Sequence, residues 1–132
     1  MSLTENLSKR TLVSPVSTQV LPVVVVSLNL KPKKVVLLTT PKVATFTSLV
    51  KRVLLFSGIE VEERTIDPYS FSSIKKSVEN IENPIFLLNC GTKFTAISLY
   101  RLSNGRNVYY YLPDGRVVDF EGRELLKVPE SF

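Results

Sequence analysis

The chain contains no histidine and no tryptophan, and only one cysteine and one methionine. Without imidazole there is no histidine general base or acid and no histidine–cysteine zinc site, and one thiol cannot build a disulfide framework. Long apolar runs are missing too. Pro22, Ser27 and Asn29 break up residues 20–30, so no segment reaches the roughly 20 uninterrupted apolar residues that cross a bilayer. Internal repeats and low-complexity tracts are absent, which excludes solenoids and disordered arrays. Residues 1–10 are polar and lack the small-residue cleavage pattern of a signal peptide. They are read as a flexible leader, and the protein as cytoplasmic.

What is present is 132 residues, enough for one domain with a buried core, expected over residues 11–132. A formal charge of +5 and a pI near 9.4 suit an anionic partner. The most informative stretch is residues 83–102. Ile85, Phe86, Leu87 and Leu88 form an unbroken apolar run, the pattern of a strand buried on both faces, and Asn89, Cys90 and Gly91 interrupt it. From Phe94 the spacing becomes helical, with Phe94, Ile97, Tyr100 and Arg101 or Leu102 expected on one face. A strand-to-helix turn holding a glycine, a hydroxyl and a lysine offers unpaired amides, the positive helix end and a mobile cation, a combination suited to phosphate. It fits neither Gly-x-x-x-x-Gly-Lys nor Gly-x-Gly-x-x-Gly. An ordinary tight turn with a solvated lysine has the same composition.

The other elements follow from period and punctuation. Residues 11–16 and 34–39 read as buried strands. Residues 17–33 must supply the crossover between two parallel strands, so a helix is expected there despite the four β-branched residues 23–26, with Pro22 in its first turn. Residues 42–57 carry Val43, Phe46, Leu49, Val50, Val53 and Leu54 at helical spacing and stop at Gly58. Residues 59–66 alternate like a strand near the sheet edge, and a third helix opens after Asp67-Pro68 and ends near Asn83-Pro84. Two β runs, 107–112 and 116–120, flank Pro113-Asp114-Gly115, a hairpin signal. The order β-α-β-α-β-α-β-α-β-β predicts a Rossmann-like α/β fold, a mostly parallel sheet with helices on both faces and a C-terminal hairpin.

In such a sheet, ligands bind beyond the carboxyl ends of the strands, where the strand order reverses. With the first strand central and the fourth beside it, residues 14–19 and 89–93 meet there. The first loop supplies Ser14, Ser17, Thr18 and Gln19, and the second supplies Asn89, Cys90, Gly91, Thr92 and Lys93. Thr39, Thr40 and Lys42, after the second strand, lie within reach. Ser17 and Thr18 could equally cap the helix that follows them. Arg101, Arg106 and Arg123 are read as solvated side chains.

Asn-Cys-Gly-Thr-Lys between a strand and an apolar helix resembles the Gly-Gly-Thr-Lys phosphate loop of CARF domains, the CRISPR-associated Rossmann-fold sensors. Residues 17–22, Ser-Thr-Gln-Val-Leu-Pro, are similar to the Ser-x-Gln-x-x-Pro signature of the CARF subgroup that elsewhere precedes a restriction-endonuclease-like domain. Residues 30–36 resemble that subgroup's entry to its second strand. Cys90 replaces the usual first glycine, and Val23 stands where an asparagine often follows the proline. The likeness covers about residues 11–125. No nuclease domain can be assembled from the remainder, so the domain is expected to stand alone, without DNA or RNA cleavage and without direct DNA binding.

The resemblance implies a homodimer binding a cyclic oligoadenylate of type III CRISPR signalling across its two-fold axis, tetra-adenylate rather than hexa-adenylate, with no metal and no cofactor. Three functions follow. The first is a ring nuclease: RNA cleaves itself when a ribose 2′-hydroxyl is held in line with its phosphate, so orientation and charge stabilisation suffice. Lys93 would stabilise the developing charge while Ser14, Ser17 or Thr18 positions the ribose. The second is a non-catalytic sensor or sink. The third is a regulator binding another nucleotide or a nucleic acid, for which no helix-turn-helix or basic stripe speaks.

Overall fold

Unbroken apolar runs need burial on both faces, and β1 (Thr11–Pro15), β2 (Lys34–Thr39) and β4 (Pro84–Leu87) obtain it side by side in the middle of the sheet. The computed structural model describes residues 8–129. Around these strands run β3 (Glu60–Thr65), β5 (Val108–Tyr111), β6 (Arg116–Asp119) and β7 (Glu124–Lys127), in the order β3-β2-β1-β4-β5-β6-β7. The first five are parallel and the last two return antiparallel. Of the expected leader, residues 1–7 lie outside the described residues. Arg10 belongs to the fold: its guanidinium donates to the carbonyls of Asn83 and Pro84 and to Asn107 Oδ1.

Register divides the core in two. Val13 lies between Val36 and Phe86 and these face one layer, while Leu12 lies between Val35 and Ile85 and these face the other. Helices α1 (Leu21–Leu30) and α2 (Ala44–Phe56) cover the Leu12 layer. Helices α3 (Phe71–Val78) and α4 (Lys93–Leu102) cover the Val13 layer. The crossover requirement therefore overrides β propensity at residues 23–26, where Val23 and Val26 pack as helix against the sheet. No helix among the described residues is long and apolar enough to cross a membrane.

Four expectations need correction. A seventh strand, β7, pairs with β6 beyond the hairpin; its two leucines in four residues were too short a run to read. Within α2, Leu49 is exposed and Thr47 takes the inward position, its hydroxyl bonded to Val43 O at 3.0 Å. Neither Ser17 nor Thr18 caps α1, whose N-cap is Val20 without a side-chain bond. The largest difference is the phase of α4. Thr95, Ser98 and Leu99 face inward, and Phe94, Ile97 and Tyr100 stay exposed. The buried hydroxyls are satisfied, Ser98 by Phe94 O at 2.8 Å and Thr95 by Pro68 O at 3.0 Å. Small residues inward let the helix axis lie close to the sheet.

The phase of α4 is directly testable by denaturant unfolding at low protein concentration. Leu99→Ala, at a fully buried site, should lose about 2–5 kcal/mol of stability. Ile97→Ala should change it by no more than about 0.5 kcal/mol. The opposite ranking would mean that the periodicity of the apolar residues, and not the packing described, sets the buried face.

Candidate functional site

β1 and β4 are hydrogen-bonded neighbours, yet the chain leaves β1 toward α1 on one face of the sheet and β4 toward α4 on the other. This divergence opens a crevice at the carboxyl ends of the strands. The cleft there has a volume of about 580 Å³. Its floor and walls are largely apolar, from Pro15, Val16, Leu38 and Ile66. Ser17, Thr18, Thr40, Thr92 and Lys42 supply the polar part.

The turn from β4 into α4 is tightly determined. Gly91 has φ +88°, and a Cβ there would stand 2.7 Å from Pro15 Cβ, so both backbone conformation and the approach to β1 require glycine. Thr92 is the N-cap of α4 and its Oγ1 accepts from Thr95 N at 3.0 Å. The hydroxyls of Thr92 and Thr95 both reach Pro68 O, at 3.1 and 3.0 Å, and fasten the β3–α3 loop to the start of α4. The amides of Lys93 and Phe94, in the first turn, have no intrahelical partner by geometry. Lys93 is exposed and forms no ion pair among the described residues. Free amides, a helix N-terminus and an ammonium thus coincide.

Of the residues expected at the site, the cleft brings together Ser17, Thr18, Thr40, Lys42, Gly91 and Thr92. Lys93 and Gln19 are exposed beside it and outside its lining. Ser17 folds its own loop, its Oγ accepting from Gln19 N at 3.2 Å. Four candidates are structural instead. Ser14 is buried inside β1, where its Oγ donates to Pro15 O at 2.8 Å, so it cannot touch a ligand in the cleft. Thr39 is held by Thr47, Oγ1 to Oγ1 2.6 Å. Asn89 extends the β4–β5 pairing: its Nδ2 donates to Tyr111 O at 2.8 Å and its Oδ1 accepts from Tyr111 N at 2.7 Å, which occupies both ends of the amide. Cys90 is buried and its Sγ donates to Gln19 O at 3.3 Å. Burial pushes its thiol pKa up, which keeps it protonated at neutral pH.

Tyr69, Pro68 and Thr95 also belong to the cleft and were not among the candidates. The rule that parallel sheets bind ligands beyond their strand ends applies to β3 as well as to β1 and β4. Asp67-Pro68-Tyr69, immediately after β3, was legible on that ground.

No family model and no curated protein sequence matches the chain. Solved structures do. Can2 from Sulfobacillus thermosulfidooxidans in complex with cyclic tetra-adenylate superposes with a TM-score of 0.82 at 21% identity, over 96% of this chain and 38% of that one. A type III CRISPR defence DNA nuclease activated by cyclic oligoadenylate gives 0.79 at 24% identity, over 92% of this chain and 21% of that one. Protein VC1899 from Vibrio cholerae gives 0.76 at 14%, over 89% and 35%. The fold is shared with all three, and this chain spans between about a fifth and two-fifths of their lengths.

The close approach at Gly91 predicts an unequal pair of glycine substitutions. Gly122 also has positive φ, +87°, but open space around it, so Gly122→Ala should cost only about 1–3 kcal/mol of backbone strain. Gly91→Ala should lower stability by clearly more, measured by urea denaturation, because Pro15 must also move. Equal losses would refute the contact with β1.

Proposed function

We propose that this chain is a CARF-type binding domain for a cyclic oligoadenylate of type III CRISPR signalling, that it works as a homodimer, and that it cleaves cyclic tetra-adenylate without a metal. The observation that carries the reading is the β4–α4 turn. It sets Gly91, Thr92 and Lys93 at the strand-order reversal of a fold also found in a structure bound to cyclic tetra-adenylate. A phosphate on this turn would meet the free amides of α4 and the Lys93 ammonium together.

The homodimer reading draws on α4. Phe94, Ile97 and Tyr100, with Tyr110 and Phe120 beyond them, remain 38–69% exposed, and all but Phe94 line a shallow apolar groove with Leu88 and Ala96. Side chains of this size present about 150–250 Å² each, so the exposed part approaches about 500 Å². That is more than half of the roughly 800 Å² per partner in a standard interface. The patch starts at Phe94, next to Lys93, so a two-fold contact here would set two phosphate turns against one ring of matching symmetry.

In the reaction, the ribose 2′-oxygen attacks the neighbouring phosphorus and the P–O5′ bond breaks. The 2′ proton passes to solvent and the departing 5′-oxygen takes a proton from solvent to become a hydroxyl, giving a linear product with a 2′,3′-cyclic phosphate. Lys93 and the α4 amides stabilise charge on the phosphoryl oxygens, and Ser17 or Thr18 orients the ribose. The burial of Ser14 favours a second reading, binding without turnover as a sensor or sink, because it removes one of the groups available for positioning.

Incubation with labelled cyclic tetra- and hexa-adenylate in EDTA separates these readings. Wild type should release linear product carrying a 2′,3′-cyclic phosphate, at a rate falling about 10²–10³-fold in Lys93→Ala. Tight binding with the ring recovered intact would leave the sensor or sink, and no binding would remove the cyclic-oligoadenylate reading itself. Sedimentation tests the dimer: Ile97→Glu places a charge in the patch and should yield monomer, whereas an unchanged wild-type dimer in that variant would exclude this face.

A further inference from the structure

Tyr69 is the one aromatic side chain on the lining of the cleft at the strand ends, and it is 70% exposed. The loop that carries it is held from both sides. Asp67 N donates to Ser73 Oγ at 2.9 Å, Tyr69 N to Asp67 Oδ1 at 3.0 Å and Ser70 N to Asp67 O at 3.1 Å. Across the crevice, Thr92 and Thr95 hold Pro68 O, which joins the loop to the phosphate-type turn. A ring left in water on so firmly tied a loop is presented at the rim of the cleft and is not buried by the protein's own core.

The cleft beside the ring has the chemistry of a heteroaromatic base. Pro15, Val16, Leu38 and Ile66 offer apolar walls for a flat face, while Thr18 and Thr40 place hydroxyls that can donate or accept along a polar edge. Its volume of about 580 Å³ lies within the roughly 300–1,000 Å³ of small-molecule sites. A bare phosphate would use none of the apolar wall. A nucleotide uses both parts, with its phosphate on the Gly91–Lys93 turn and its base in the cleft.

We propose that Tyr69 is the stacking platform for an adenine base of the bound ring and makes this site selective for a base as well as for an anion. The proposal rests on the cyclic-oligoadenylate reading above. Stacking of a base on an aromatic ring tolerates exchange among aromatic residues and is lost on truncation, with a loss of about 10–100-fold in affinity.

The test is titration of the full chain with cyclic tetra-adenylate, and with a ring carrying 2-aminopurine in place of one adenine. Tyr69→Ala and Tyr69→Leu should each weaken binding about 10–100-fold and lose the quenching of 2-aminopurine fluorescence. Tyr69→Phe and Tyr69→Trp should stay within about threefold of wild type, as any base-stacking ring would. The salt dependence of binding should persist in Tyr69→Ala, because the phosphate contacts remain, and diminish in Lys93→Ala. If wild type binds the ring and Tyr69→Ala and Tyr69→Leu bind it equally well with quenching intact, the stacking role is wrong while the ligand reading stands. If wild type binds neither the tetra- nor the hexa-adenylate ring, the ligand reading falls and takes this role with it.

Discussion

Because β1 and β4 are paired, the turn that ends β4 must pass over the end of β1, and the approach of Gly91 to Pro15 leaves no room there for a side chain. Everything around the crevice is fastened to that turn. Cys90 bonds the β1–α1 loop through Gln19 O, Asn89 bonds β5 through both ends of its amide, and Thr92 bonds the β3–α3 loop through Pro68 O. Two other loops and a neighbouring strand end are thereby tied to one four-residue turn. Buried hydrogen bonds of this kind are expensive to leave unmade, so the turn holds one geometry and keeps the first amides of α4 directed outward.

The same bonds explain why short polar residues near the cleft divide between lining it and holding its loops together. Loops of a parallel sheet carry backbone groups that no strand satisfies, and side chains must complete them. Asn89 and Cys90 do this work, while Thr39, at the end of β2, is held by the Thr47 hydroxyl and Ser14 lies within β1. Ser17, Thr18, Thr40 and Lys42 are left lining the cleft.

Much of the fold was legible because its signals were redundant. Two buried parallel strands required a crossover, and that requirement outweighed the β-branched run 23–26, which packs as α1. Asp114-Gly115 marked the hairpin, and Gly115 indeed takes φ +94° under the carbonyl of Val128. The strand β7 was not legible, since four residues with two leucines carry no period and the pairing that stabilises it comes from β6. A cleft at the strand ends followed from topology alone, while the division of the candidate residues into cleft-lining and structural depended on hydrogen bonds between segments about 20 to 70 positions apart, which no local pattern encodes.

The reversed phase of α4 has a different cause. Amphipathic periodicity identifies an apolar stripe and assumes that the protein's own core is the only place to bury it. In α4 two demands compete for the inward face. The cap at Thr92 and the anchoring of Pro68 require Thr95 to point toward the β3–α3 loop, and Ser98, one turn later, follows it. With that rotation set by the turn, Leu99 is the large side chain that reaches the sheet, and Phe94, Ile97 and Tyr100 are carried outward. The constraint that shapes the crevice is thus also the one that exposes the apolar face beside it. A surface stripe produced in this way is a consequence of site geometry, and it adjoins the site because both begin at the first turn of one helix.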